Sequence, residues 1–424
     1  MTSTRPSSPP HPARAALVTP VLVAGSLVLM VSFAIRASFG VFQIPVASEF
    51  GWPRAEFSLA IAIQNLAWGI GQPVFAAIAE RFGDRKAIVG GALLYAAGLV
   101  LSSVAVTPGA HQALEVLVGF GIAGTGFGVI LAMVGRAASD QGRSMALAIA
   151  TAAGSAGQVV GPPVAEALMS VFSWSTVFVI FAAAILAVLA VLPLMRAPRA
   201  PSTEIEESLG ALLGRAFRDP SYTLIFVGFF SCGYQLGFIT AHFPALVTEM
   251  CAAIEPTGTL AALGVDDTAA LGAVAIGVIG LANIGGTLLA GWAGGLFPRK
   301  YLLAGIYTAR TVASALFIMA PITPGSVLVF SAVMGALWLA TVPLTAGLVG
   351  ALWGLRYMGT LYGVVFFSHQ LGSFMGVWLG GELYDMTGTY DAVWWVGVGV
   401  GAFSALVHLP IREGRMTGAT FRPS

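Results

Sequence analysis

Arg36 offers the most chemistry, because it stands in the middle of a long apolar stretch where an ionised side chain costs a few kcal/mol unless it meets a cavity or a partner. Arginine stays protonated, and its planar fork fits a carboxylate through two hydrogen bonds. The acids Glu115, Glu166 and Glu382 fall near the ends of other apolar stretches, so the middle of the chain reads as positive and undercompensated. An anion is the natural missing partner. The alternative, a guanidinium held by helix-end carbonyls or by an acid of a neighbouring helix, stays open.

Other polar residues sit at similar depth. His242 follows Gln235 by seven residues, and Gln43 follows Arg36 by the same step, so each pair shares one stripe of a helix. A histidine that titrates near neutral pH is suited to take up and release a proton, although a neutral, hydrogen-bonded His in a helix interface fits the pattern equally well. His369, Gln370 and Ser373 are either cross-helix hydrogen-bonding groups or ligand contacts. Gln64, Asn65, Tyr234, Asn283, Trp338 and Thr341 are weaker candidates, for which packing is the plainer explanation. Arg310 reads as structural, reaching a membrane interface along its apolar stem.

Enzyme signatures are missing. The chain holds no H-E-x-x-H, no G-x-S-x-G and no P-loop. With five His and two Cys, neither a metal nor another cofactor is expected. GFGIAG at 119–124 spells a dinucleotide fingerprint, but it lies inside an apolar stretch with no strand before it. Gly124/Gly128, Gly157/Gly161 and Gly372/Gly376/Gly380 read instead as close helix-packing surfaces.

The elements that must position these groups are membrane helices. Of 424 residues, 57% are hydrophobic and 9% charged, with a mean hydropathy of +0.87, which excludes a water-soluble core. About twelve stretches are long enough to cross a hydrocarbon layer of about 30 Å. They fall at 18–47, 55–79, 87–106, 111–135, 144–168, 174–195, 221–248, 270–296, 301–320, 325–350, 359–383 and 392–410.

Short loops rich in Lys and Arg stay cytoplasmic. With the N-terminus inside, Arg54 alone lies in an outward loop, and Arg36 and Arg310 lie within spans. The remaining basic residues, among them Arg81, Arg85, Lys86, Arg136, Arg143, Arg196, Arg199, Arg299, Lys300, Arg356 and Arg412, fall in the tails and inward loops. Both termini are therefore expected in the cytoplasm. Absent targeting signals and an Ala/Gly-rich composition point to a bacterial inner membrane. A net charge of +1 and the bilayer setting give no reason to expect a nucleic-acid partner. Cys232 and Cys251 are separated by about 28 Å along one helix and are not expected to pair.

The expected organisation is a disordered tail at 1–14, a first bundle at 15–195, a linker at 196–219, a second bundle at 220–411 and a tail at 412–424. Thr203 and Glu206 are placed as a capping box in the linker. The two bundles repeat one another: Pro45 aligns with Pro244, placing Arg36 on Gln235 and Gln43 on His242. Gly157 and Gly161 align with Gly372 and Gly376, and Arg85–Lys86 align with Arg299–Lys300. Both copies enter from the cytoplasm, as parallel repeats do.

The string AIAERFGDRK resembles the loop signature G-x-x-x-D-R-x-G-R-R of the major facilitator superfamily, with Glu80, Arg81, Gly83, Arg85 and Lys86 matching its sense. Ala76 stands where its first Gly usually is, and Asp84 interrupts it. GSAGQVVGPP at 154–163 resembles the superfamily's span-5 Gly-Pro motif without its closing Gly pair, replaced by Ala165 and Glu166. RASFGVFQIPVASEFGW, GYQLGFITAHFP, VPLTAGLV and FFSHQLGSFMGVWLGGELYDMTGTYDAVWW resemble the monocarboxylate transporter and oxalate/formate exchanger branch. In that branch span 8 carries a cation. Here span 8 reads GLANIGGTLLAG, with Asn283 and no charge.

The resemblance implies an all-α membrane protein of twelve transmembrane helices in two pseudo-symmetric six-helix bundles. It implies a monomeric secondary transporter moving a small organic anion, a monocarboxylate, with a proton or against a counter-anion. Arg36 would anchor the carboxylate, His242 or His369 would handle the proton, and Gln43, Gln235, Asn283, Trp338 and Gln370 would shape the pocket. The basic loops around Arg85–Lys86 and Arg299–Lys300 would latch the inward side. A multidrug or metabolite efflux antiporter and a non-transporting membrane sensor are the competing readings.

Overall fold

A computed structural model describes residues 17–52, 54–198 and 208–413. Sixteen α-helices are present among them: α1 (Pro20–Phe50), α2 (Arg54–Phe82), α3 (Asp84–Ser102), α4 (Pro108–Thr125), α5 (Phe127–Ala137), α6 (Arg143–Met169), α7 (Trp174–Ala187), α8 (Leu209–Arg218), α9 (Pro220–Met250), α10 (Thr259–Ala262), α11 (Thr268–Gly294), α12 (Arg299–Met319), α13 (Pro324–Leu337), α14 (Thr341–Trp353), α15 (Met358–Thr387) and α16 (Asp391–His408). Described residues form no strand. In hydrocarbon every backbone polar group must find its partner within the segment, which is why an apolar chain of this kind is helical.

Eleven spans among the described residues are long and apolar enough to cross a membrane. The twelfth crossing is α15, 30 residues long, whose middle carries Ser368, His369, Gln370 and Ser373. Helix starts are capped in the expected way. Thr107, Ser173 and Thr323 accept from backbone N–H groups of the first turns of α4, α7 and α13, and Pro108 and Pro324 open two of these helices. Gly83, at φ 103°, makes the turn from α2 into α3, a conformation that a residue with a Cβ rarely adopts.

Two expected spans are broken. The fourth splits at Gly126, whose extended backbone separates α4 from α5, and the tenth splits at Trp338–Ala340 between α13 and α14. The breaks occupy corresponding places in the two halves, where discontinuous helices leave backbone groups free to bind something other than their own helix. The linker helix α8 begins after Ser208, which caps it. Thr203 and Glu206 lie outside the described residues. Cys232 and Cys251 are both free.

Glycine packing displays the repeat. Gly157 and Gly161 of α6 lie against the Met30 and Ala34 backbones of α1, and Gly372 and Gly376 of α15 lie against the Phe230 and Tyr234 backbones of α9. A side chain at any of the four would strike main chain. The equivalence of the two glycine pairs holds, but the register of α1 on α9 moves by one residue from the one the prolines suggest: Ala34 corresponds to Tyr234, so Arg36 corresponds to Leu236 and not to Gln235. Packing on the partner helix sets the register, whereas a proline can be displaced by one position within its helix.

The halves meet through α2 with α15 and α6 with α11. Gly363 rests on Gln72–Pro73, Gly69 on Phe367 and Gln370, Gly291 on Ala148, Gly294 on Ser144, and Gly280 on Val159. These contacts run from mid-membrane to the end that carries the basic loops. On α15 the stripe that contacts α2 through Gly363, Phe367 and Gln370 continues to Phe374 and Trp378, which are 47% and 49% exposed. The halves are pressed together at the basic end and part toward the other.

Candidate functional site

The polar centre is built on the first half and closed by one helix of the second. From α1, the Arg36 guanidinium donates through Nη2 to Asn65 Oδ1 at 2.7 Å. It also lies 4.7 Å from the centre of the Trp68 ring, so the ring's negative face supports the charge. Asn65, Trp68 and Gln72 stand three and four residues apart on one face of α2, and Trp68 Nε1 donates to Gln72 Oε1 at 2.8 Å. Arg36 Nε is buried with no hydrogen-bond partner, and among the described residues no acid pairs with this side chain. The guanidinium therefore presents donors that the protein does not use.

Across the interface, α15 supplies Gln370, whose Nε2 donates to the Asn65 carbonyl at 3.4 Å. Phe366 packs 4.7 Å from Trp68 and stacks on His369 at 5.2 Å with the rings 9° apart. Arg36, Asn65 and Gln370 thus meet between the halves, whereas His369 touches Phe366 and Phe229 within its own half. Trp68 and Phe366 complete the group and were not anticipated. An aromatic residue in a membrane helix reads first as packing, so their types alone do not single them out.

The remaining candidates face elsewhere. Gln64 turns into the first half and donates to Glu115 Oε2 at 2.7 Å. Tyr234 Oη donates to the Val393 carbonyl, and Gln235 Nε2 to the Gly397 carbonyl, both on α16 of their own half. His242 Nε2 lies 2.9 Å from the Val377 carbonyl of α15, and its ring fills the space beside Gly380. Gln43 lies in α1, with its side chain outside the described residues.

Asn283 is a structural bridge: its Nδ2 donates to Ser155 Oγ of the opposite half at 3.0 Å, while its Oδ1 accepts from Leu339 N at the span-10 break and from Thr287 Oγ1. Thr341 Oγ1 lies 3.3 Å from Cys232 Sγ. The Trp338 carbonyl accepts from Arg310. Arg310 does not reach an interface. It is fully buried, donates to the Leu337 and Trp338 carbonyls at the C-terminal end of α13 and lies against Cys232 Sγ at 3.3 Å. Carbonyls at a helix C-terminus carry partial negative charge, which satisfies the cation without an acid.

At the basic end, one of the expected gate residues joins the halves. The Glu80 carboxylate accepts from Thr360 N at 2.9 Å and Thr360 Oγ1 at 2.5 Å, capping the first turn of α15 from across the interface. Arg81 is exposed beside Phe82. Arg85 donates to the Met195 and Pro193 carbonyls of its own half, and Asp84 pairs with Arg136 at 2.5 Å. Lys86 is exposed. Arg299 and Lys300 tie to Glu413 and Leu409 beyond α16.

The Major Facilitator Superfamily model matches residues 25–377. An uncharacterised MFS-type transporter, YcxA of Bacillus subtilis, is 27% identical over 394 residues, covering 88% of this chain and 90% of that protein. Monocarboxylate transporter 13 of Bos taurus is 27% identical over 369 residues, covering 85% and 81%. Among solved structures, the E. coli fucose:proton symporter FucP superposes with a TM-score of 0.72 at 14% identity, covering 93% of this chain and 98% of that one. The proton:xylose symporter XylE superposes at 0.68 and 14% identity, covering 93% and 96%. The match over most of the chain, on a fold of two six-helix bundles, makes this protein a multi-pass membrane transporter of the major facilitator superfamily.

Proposed function

We propose that the protein is a secondary active transporter of a small organic anion, a monocarboxylate, working as a monomer by proton symport or anion exchange through alternating access. One observation carries this reading: Arg36, at mid-membrane depth, makes a single hydrogen bond to a neutral side chain, keeps a buried Nε unused and has no acid beside it among the described residues. A carboxylate entering between Arg36 and Gln370 supplies the charge and the acceptors. Asn65 and Trp68 orient the guanidinium, and His369, stacked on Phe366, or His242, held at the Val377 carbonyl, handles the proton. Likeness to monocarboxylate transporter 13 supports the substrate class.

The distribution of Lys and Arg supports an inner-membrane orientation with both termini in the cytoplasm. In that orientation the closed basic end is the inward gate, with Glu80 as its bolt, and the protein awaits substrate from outside. Bundles at 15–195 and 220–411, joined by the linker 196–219, would rock about the α2–α15 and α6–α11 contacts.

Reconstituted protein should take up labelled lactate, pyruvate or oxalate saturably, driven by an inward proton gradient or by unlabelled anion inside. If none of these moves, and expression instead raises resistance to lipophilic cations that carboxylates do not compete against, the efflux reading replaces this one.

A further inference from the structure

The second half buries a cation that no carboxylate meets. Arg310 is fully buried, and among the described residues none of its partners is a carboxylate. The Leu337 and Trp338 carbonyls fill its donors but supply only partial charges, so a whole positive charge stays inside the bundle. Holding such a charge without a counter-ion costs several kcal/mol. One group in contact with it can supply the missing negative charge: Cys232, whose Sγ lies 3.3 Å from Nη1.

Every other polar group around that sulfur is able to donate. Thr341 Oγ1 of α14 lies 3.3 Å away. From α15 the His369 ring lies beside the sulfur. This residue is 7% exposed, and both its ring nitrogens are buried with no hydrogen-bond partner. Tyr307 of α12 and Tyr362 of α15 bring hydroxyls within electrostatic reach of Cys232, and these too are buried and unpartnered. Buried polar atoms are rarely left unpaired, so several unused donors around one sulfur mark a place where an anion belongs.

The repeat supplies a comparison within the chain. In the register of Ala34 on Tyr234, Cys232 corresponds to Ser32. Ser32 Oγ lies 2.8 Å from Thr125 Oγ1 beside the break at Gly126, as Cys232 lies by Thr341 beside the break at Trp338–Ala340. Among the described residues neither hydroxyl of the first pair takes a hydrogen bond from a guanidinium. Where the guanidinium is present, a side chain that can ionise stands in place of the hydroxyl.

We propose that Cys232 rests as a thiolate, the counter-ion of Arg310, and that this buried ion pair clamps α9 and α12 to the span-10 break. The break carries the clamp further: Leu339, next to the held carbonyls, donates to Asn283, which reaches Ser155 of the opposite half.

The test needs no substrate and so stands apart from the anion reading. In the full chain carrying Cys251→Ser, Cys232 is the only thiol. At neutral pH the folded protein should show the ultraviolet band of one thiolate relative to the same protein carrying Cys232→Ser as well. Denaturation at that pH should abolish the band, because a free thiol is mostly protonated there. A folded Arg310→Leu variant in this background should lack it. Cys232→Ser should lower the Tm by about 5 °C, since a hydroxyl keeps an acceptor beside Arg310 but not the charge. A folded protein without the band overturns the proposal whatever the variants do. So does a band that survives in a folded Arg310→Leu, or a Cys232→Ser variant as stable as its parent. Should Arg310→Leu fail to fold, the band and the Cys232→Ser stability decide.

Discussion

Two arginines lie deep in this bilayer protein, one in each half, and their environments are opposites. Arg310 is saturated: two carbonyls at the end of α13 and the Cys232 sulfur take its donors, and it is fully buried. Arg36 has one neutral acceptor, an aromatic face beneath it and a donor left over. The halves share a repeat, yet only the second spends its cation on holding a broken helix together. A buried charge is thus functional or structural according to who accepts from it, and the count of satisfied donors distinguishes the two cases.

The largest expected effects separate the arginines. Arg36→Ala should lower carboxylate uptake by about 100-fold, the loss of a charge-assisted fork, with little change in thermal stability. Arg310→Leu should do the reverse through folding, leaving buried carbonyls unpaired and costing about 3 kcal/mol, read as a lowered Tm and reduced yield. Equal behaviour of the two variants in both assays would erase the distinction.

Asn283→Ala removes three hydrogen bonds: one at the span-10 break, one to Thr287 of its own helix and one that links the halves. A loss of about 2 kcal/mol is expected in chemical denaturation, with substrate affinity nearly kept. Glu80→Gln weakens the cap on α15, and an Ala148→Cys reporter under Gly291 should react about fivefold faster with a membrane-impermeant thiol reagent from the basic side. The smallest change is Trp68→Phe, which keeps a ring beneath Arg36 but loses the bond to Gln72. KM should rise about threefold with maximal uptake retained.

Much of the architecture was legible in the sequence because hydrocarbon permits so few solutions. Apolar runs gave the crossings, and Gly157/Gly161 with Gly372/Gly376 gave the repeat that the packing displays. The breaks at Gly126 and Trp338–Ala340 were not legible, since an apolar stretch with an interruption of one to three residues has the same hydropathy as a continuous helix. That omission hid the purpose of Arg310 and of Asn283, whose partners are backbone groups freed by the break. Arg36, Asn65 and Gln370 could be picked out because polar groups at that depth demand an explanation. Trp68 and Phe366 could not, because an aromatic residue in a membrane helix reads first as packing. Gln64 and Asn65 looked alike, yet adjacent residues of a helix point about 100° apart, so one turned to Glu115 and the other to Arg36.

Ligand-dependent stabilisation of purified protein tests the role of Arg36 most directly. Pyruvate or lactate should raise the Tm of the wild type in a saturable manner and leave the Tm of Arg36→Ala unmoved. A variant lacking the guanidinium that is stabilised by these anions as strongly as the wild type would contradict the account.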